Sequence, residues 1–297
     1  MKNKLILRGE EYTSFHSHYL TFLWERYFDI EWYDQSKTYD QSGNVFVVNW
    51  QNANDDYSKQ LKNQGYRVAV DNLWEFPTGR KNYHWIEHPD WFWYNESIWW
   101  RNLGYHRYHP NKTYSKRAFM QIGRSNQIRD EIVNQLDHRL DSFVWSYRDQ
   151  NLPNDVSKSQ DNYQRFFNPQ WYDNTYFSLV VESMQGYSIR LTEKSFKPMA
   201  YKHPFLLIGP PGSLKKLQSL GFETYENLFD ESYDNIVRLD QRLPAIIKNI
   251  DDFVPKEYDT ITLEKMQHNH ARFFNRELVE SKIIAEIIEP LINYIET

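Results

Sequence analysis

Short runs of aliphatic residues recur along this chain, each followed by a stretch whose apolar residues return at helical spacing. That alternation constrains the fold more than any other feature. KLILRG (4–9) reads as a buried strand and FHSHYLTFLWERYF (15–28) as a helix with Phe15, Leu20, Leu23 and Phe28 facing inwards. DIEWYD (29–34) and NVFVVNW (44–50) read as strands, NDDYSKQLKNQG (54–65) as a helix stopped by Gly65, and YRVAVDN (66–72) as another buried strand. HPDWFWYNESIWWRNLGY (88–105) predicts a strand entering a short helix. Strands separated by helices predict a parallel, Rossmann-like sheet.

The polar, basic segment RYHPNKTYSKR (107–117) reads as a connection, after which the pattern restarts. AFMQIGRSNQ (118–127) predicts a strand and loop, IRDEIVNQLDHR a helix, DSFVWSY (141–147) a strand and YFSLVVES (176–183) another. PFLLIG, the GPPG turn, the helix SLKKLQSL stopped by Gly221, and FETYEN (222–227) complete a strand, turn, helix and strand. DESYDNIVRLDQRLPAIIKNI and LEKMQHNHARFFNRELVESKIIAEIIEPLINYI close the chain as two long helical stretches. With 297 residues, two domains of ~150 are expected. The expected fold is therefore α/β, two Rossmann-like domains facing a cleft: 1–110, and 111–297 with the terminal helices in the second.

Composition narrows the function classes. The chain has no cysteine, which excludes disulfides, thiolate metal sites and a cysteine nucleophile. A net charge of −5 gives no global drive towards nucleic acid, although a local basic strip such as 107–117 remains compatible with one. The apolar run in MKNKLILRGEEY is too short for a signal peptide, and no ~18-residue apolar run occurs, so a soluble, cytoplasmic protein without a membrane span is expected. HSH (16–18) and HNH (268–270) put paired histidines ~200° apart around a helix, a poor metal geometry. GPPGSLKK lacks the ending of a phosphate loop, and no Gly-x-Ser-x-Gly elbow exists. An aromatic share of 17 %, concentrated in runs such as WFWYNESIWW, suits both a sugar-stacking face and a buried seam.

In open α/β sheets ligands bind beyond the carboxyl ends of the strands. In the second half those ends carry Arg124, Ser125 and Asn126, then Glu182 and Ser183, then Thr192, Glu193 and Lys194. Thr192 is a good N-cap, and the helix start after it can receive an anion such as a diphosphate. Lys194 and an arginine of the 124–129 loop supply positive charge for a departing nucleoside diphosphate, and Glu193 is a two-oxygen acceptor for paired ribose hydroxyls. Spacing alone does not separate this from an ordinary helix start.

FSLVVES, a short gap and LTEKSFKPMAYKHPFLLIGPPG resemble the donor-binding region of the α-1,3-fucosyltransferases, in which a strand ending in Glu-Ser or Glu-Asn precedes a Val-Thr-Glu-Lys helix and a further strand. AFMQIGRSNQIRDEIVNQL is similar to their strand, Ser-Asn, Arg and helix segment, so the likeness covers roughly 116–226. WYNE (93–96), NPQWYD (168–173) and DESYD (230–234) resemble signatures of phage-type glycosyltransferase-like proteins. The resemblance implies a GT-B fold and metal-independent, inverting transfer from a nucleotide sugar, GDP- or UDP-linked, with no other cofactor. It assigns Glu193 to the ribose, Lys194 with Arg129 or Arg124 to the diphosphate, and Glu182 to the donor sugar or nearby backbone. Leu191 stands where that family carries Val or Tyr, and the N-terminal half matches none of its motifs.

Inverting transfer also needs a base for the acceptor hydroxyl. Carboxylates after predicted strands are Glu10, Glu11, Asp71, Glu75 and Glu96, and Glu10 or Glu11 is expected because the first loop of such a domain faces the cleft. The expected partners are a nucleotide sugar and a hydroxyl acceptor, first of all a carbohydrate. Two alternatives stand beside this: a non-catalytic nucleotide- or glycan-binding relative, and a transferase acting on a hydroxylated DNA base with 107–117 on the backbone.

Overall fold

The computed structural model describes residues 3–7, 23–32, 34, 36–39, 44–49, 56–72, 84–87, 90–123, 125–147, 152, 168–182 and 189–297. The chain divides into two units, Met1–Trp99 with Arg276–Thr297, and Trp100–Asn275. The division thus falls between Trp99 and Trp100 rather than at the expected 110/111, and of the C-terminal helical stretches only Arg276–Thr297 goes to the first unit.

The first unit is built on a five-stranded parallel sheet: β1 (Asn3–Leu7), β2 (Phe28–Trp32), β3 (Asn44–Asn49), β4 (Arg67–Asn72) and β5 (His84–Glu87), in the order β2-β1-β3-β4-β5. Leu5, Ile6 and Leu7 pair with Val45, Phe46 and Val47, and all six are buried. Such unbroken apolar runs mark strands covered on both faces. The edge strand β2 reads differently: Asp29 is exposed, and Glu31 pairs with both Lys4 and Lys37. Charge of this kind keeps an open edge from adding further strands.

Helix α1 (Asp56–Asn63) leads into β4 through Gly65, whose φ of 86° lets its amide and that of Tyr66 close on the carbonyls of Lys62 and Leu61. Helix α2 (Trp91–Asn102) occupies most of the stretch expected to begin as a strand. Trp91, Trp93, Tyr94 and Trp100 are all buried, so the helix is apolar around much of its circumference and shows no clean 3.6-residue stripe. Helices Arg276–Ile283 and Glu289–Glu296, joined by a π turn at Ile284–Ile288, complete the unit. They bury Ile283, Ile287, Ile288 and Leu291. Glu286 in the π turn accepts from Tyr94 Oη, the Arg67 guanidinium caps the carbonyls of Tyr294 and Ile295, and His84 stacks on Tyr294 at 4.2 Å.

The second unit carries four parallel strands, β6 (Lys116–Gln121), β7 (Phe143–Ser146), β8 (Thr175–Val181) and β9 (Phe205–Ile208), in the order β7-β6-β8-β9. In each sheet the first strand of the unit lies between the second and the third. Around them run α3 (Gln127–Leu136), α4 (Pro169–Asp173), α5 (Glu193–Ala200), α6 (Ser213–Ser219), α7 (Leu239–Asp252) and α8 (Thr260–Phe273).

Three readings of the sequence change here. The 107–117 segment is part of this unit: the amides of Thr113 and Tyr114 bond the Asp173 carbonyl, and Lys116 N bonds that of Asn174. FETYEN forms no strand, because side chains satisfy its backbone: Asn269 Oδ1 accepts from Glu223 N at 2.8 Å and Glu231 Oε1 from Tyr225 N at 2.7 Å. DESYD is a 3-10 turn at Glu231–Asn235, not the start of a long helix. Its Asp234 holds the GPPG turn, accepting from the amides of Gly212, Leu214 and Lys215. Gly212 sits at φ 84°, and a Cβ at Gly209 would stand 2.6 Å from Ser213 Oγ, so that turn is a tight structural hinge between β9 and α6.

Candidate functional site

The strand order places the switch point of the second unit between β6 and β8, where one connection leaves towards β7 and the next towards β9. In open α/β sheets the crevice for a ligand opens at the carboxyl ends of those two strands. β6 ends at Gln121 and leads through 122–126 into α3; β8 ends at Val181, followed by Glu182, and the chain reaches α5 through Thr192. The two segments singled out in the sequence therefore begin side by side.

Glu182 is 1 % exposed and organises the start of α5. Its Oε1 accepts from Thr192 N at 2.8 Å and Ser195 Oγ at 2.7 Å, and its Oε2 from Thr192 Oγ1 at 2.7 Å. With three donors on a buried carboxylate, the side chain fixes the helix start, and its bond to Thr192 N is of the kind named second for it, to nearby backbone. Thr192 is the N-cap in extended conformation, and its Oγ1 accepts from Lys194 N.

Two amides of the first turn are already engaged: that of Lys194 on Thr192 Oγ1 and that of Ser195 on the Thr192 carbonyl. An anion here is met first by side chains. Lys194 Nζ, on a side chain 21 % exposed, reaches Glu193 Oε1 at 2.6 Å and Thr192 Oγ1 at 3.0 Å. Glu193 is 7 % exposed; burial pushes its carboxyl up, but Lys194 and Lys197 more than offset that and hold it below the ordinary glutamate value.

On the α3 side, Asn126 is the N-cap and accepts from Arg129 N at 2.9 Å. Ser125 and Asn126 are exposed, whereas Arg129 is 4 % exposed and partnered within the fold. Arg124 lies outside the described residues, as do Glu10, Glu11, Glu75 and Ser183, and the side chain of Asp71 is not described. Glu96 is buried on α2, with Asn95 Nδ2 at 3.2 Å.

Lys197 and Gln121 are functional candidates that the sequence reading did not single out. Lys197 Nζ bonds Gln121 Oε1 at 2.8 Å, joining α5 to the last residue of β6. The signal was present in the spacing: Lys197 lies four residues after Glu193, on the same helix face. The clustered histidine at 270 is structural instead, its two ring nitrogens each lying 3.1 Å from a carbonyl, those of Ala200 and His106. Among the described residues no group of three or more His, Asp or Glu side chains could hold a metal ion, and no helix is long and apolar enough to cross a membrane.

Of the four lysines and arginines in the basic strip considered for a nucleic-acid backbone, Arg107 is exposed and the other three lie on protein carbonyls. Lys112 Nζ donates to Tyr172 O, Lys116 Nζ to Asp141 O and Arg117 Nη1 to Ile250 O. Burial also draws the Lys112 pKa down to about 7. Comparison of the chain with protein-family models, with curated proteins and with solved structures gives no match.

Proposed function

We propose that the chain is an inverting, metal-independent glycosyltransferase that takes a nucleoside-diphosphate sugar, GDP- or UDP-linked, in its second unit. The observation that carries this reading is the meeting, at one switch point, of an acidic residue and cations of α5 with the capped start of α3. In the proposed arrangement Glu193 accepts from the ribose hydroxyls. Lys194 turns from Glu193 to the diphosphate and, with Arg129, receives the charge that develops as the sugar–oxygen bond breaks. The acceptor oxygen attacks the anomeric carbon from the opposite face, the bonding pair leaves with the diphosphate, and Glu10 or Glu11 takes the hydroxyl proton. Glu182 and Thr192 act through the helix they fix. The likeness of 116–226 to fucosyltransferase donor segments supports the same assignment, and the engagement of Lys112, Lys116 and Arg117, all the cations of the strip but Arg107, on protein carbonyls favours a carbohydrate acceptor over DNA.

Calorimetry with GDP, UDP, ADP and dTDP, in the presence of a chelator, tests the reading. One nucleotide is expected to bind in the micromolar range, and Glu193→Ala and Lys194→Ala each to weaken it at least about tenfold, or 1.4 kcal/mol. Absence of binding, or indifference to both substitutions, removes the assignment.

A further inference from the structure

We propose that Lys197 is a positioning residue of this site: its buried ammonium, bonded to the Gln121 side chain, is the fixed positive charge on the face of α5 that carries Glu193, and it favours the carboxylate as an acceptor for a nucleotide's sugar hydroxyls. The purpose of that arrangement rests on the reading given above; the Lys197–Glu193 coupling itself does not.

Glu193 and Lys197 stand one helical turn apart on one face of α5, the acid nearer the N-terminus, while the direct ion pair of Glu193 is with Lys194. Exposed pairs of this kind contribute little, but here both side chains are buried, Lys197 at 5 % exposure. A buried ammonium is costly unless it is partnered, and an apolar side chain would fill the same space without that cost. Lys197 meets the requirement with Gln121 Oε1 at 2.8 Å, which places its charge at the β6 end of the crevice.

The two lysines around Glu193 differ in what they can give up. Lys194 is the more exposed and bonds Glu193 directly, so it is the cation able to turn to an incoming anion. Glu193 then loses its nearest partner while remaining buried, and Lys197 is the charge that stays. Among the described residues the positive charges that act on Glu193 are those of Lys194 and Lys197. Glu182 at the end of β8 faces Thr192 and Ser195, and on α8, which packs against α5, His270 sits on the carbonyls of Met199 and Ala200 at the far end.

The test is a carboxyl-carbon NMR titration of glutamate-labelled protein, with the Glu193 signal assigned by Glu193→Gln. The parent is expected to titrate below the ordinary value of 4.5. Lys197→Met should move the midpoint up, Lys197→Arg return it, and Gln121→Leu, which keeps the charge but removes its anchor, move it part of the way. Should Lys197→Met not fold, Gln121→Leu decides. Binding of GDP and UDP adds a second readout: on going from about pH 8 to about pH 5.5 the Lys197→Met variant should lose more affinity than the parent. An unchanged Glu193 titration in both Lys197→Met and Gln121→Leu overturns the proposal, even if thermal stability falls, since packing alone predicts that pattern. If the parent binds neither nucleotide while the titration moves as expected, the glycosyltransferase reading falls and the coupling stands.

Discussion

Both units place their first strand between their second and third, yet they complete the sheet in different ways. The second unit is one continuous stretch, Trp100–Asn275, and its central strand β8 runs straight into a buried carboxylate that fixes the next helix. The first unit takes its closing helices from the far end of the chain, with Arg67, His84 and Tyr94 reaching residues near the C-terminus. The comparison teaches that strand order alone defines where a crevice lies. The residues delivered there by neighbouring segments define what the crevice can bind.

The largest effect expected from that contrast comes from deleting 276–297. The deletion removes the buried side chains of Ile283, Ile287, Ile288 and Leu291, each contributing about 1.5–3 kcal/mol. Together they match the ~5–15 kcal/mol that typically separates folded from unfolded domains. Hydrogen exchange is expected to show loss of protection at Leu5–Leu7 and Val45–Val47, with β6 and β8 still protected. Retained protection in β1 and β3 would mean that the first unit closes without its terminal helices.

Next in size is Glu182→Ala, which leaves Thr192 N, Thr192 Oγ1 and Ser195 Oγ without their acceptor in a buried site. A loss of about 3 kcal/mol or more is expected in denaturant unfolding, and a smaller one for Glu182→Gln, which keeps a carbonyl acceptor. A loss below about 1 kcal/mol would show that the carboxylate is not organising α5.

A pH effect follows in magnitude. Burial holds His203 well below its ordinary value, with Lys112 adding to the shift, and burial likewise lowers His270. Both folded values lie below the ordinary 6.5, so the unfolded chain takes up protons first. Stability is therefore complete above about pH 6.5 and declines as the pH falls through it. Thermal unfolding of the parent and of His203→Gln checks this, the variant having the flatter acid limb; parallel profiles would remove His203 from the account. The smallest effect is that of Thr192→Ala, about 1 kcal/mol from the lost cap, with Thr192→Ser keeping most of the stability.

Much of the second unit was legible because each of its signals is local. The β6 strand, the Thr192 cap and the Gly212 turn all lie next to the elements they start or join. What escaped was non-local. An apolar stripe over 278–295 says that a helix is buried but not against which strand, so the sequence alone does not place Arg276–Thr297 with the first unit. FETYEN looked like a strand because its partners, Asn269 and Glu231, are side chains distant or unmarked in the sequence. In the site, Glu193 and Lys194 stood out as a pair, whereas Lys197 gained meaning only when β6 brought Gln121 beside it.

The central claim is tested most directly by mapping backbone amide NMR shifts or hydrogen exchange on addition of the nucleotide that calorimetry selects. The account predicts changes concentrated at Gln121, Ser125–Arg129 and Thr192–Lys197, and their disappearance in Glu193→Ala. Changes confined to other parts of the chain, with these three segments unmoved at saturating nucleotide, would contradict it.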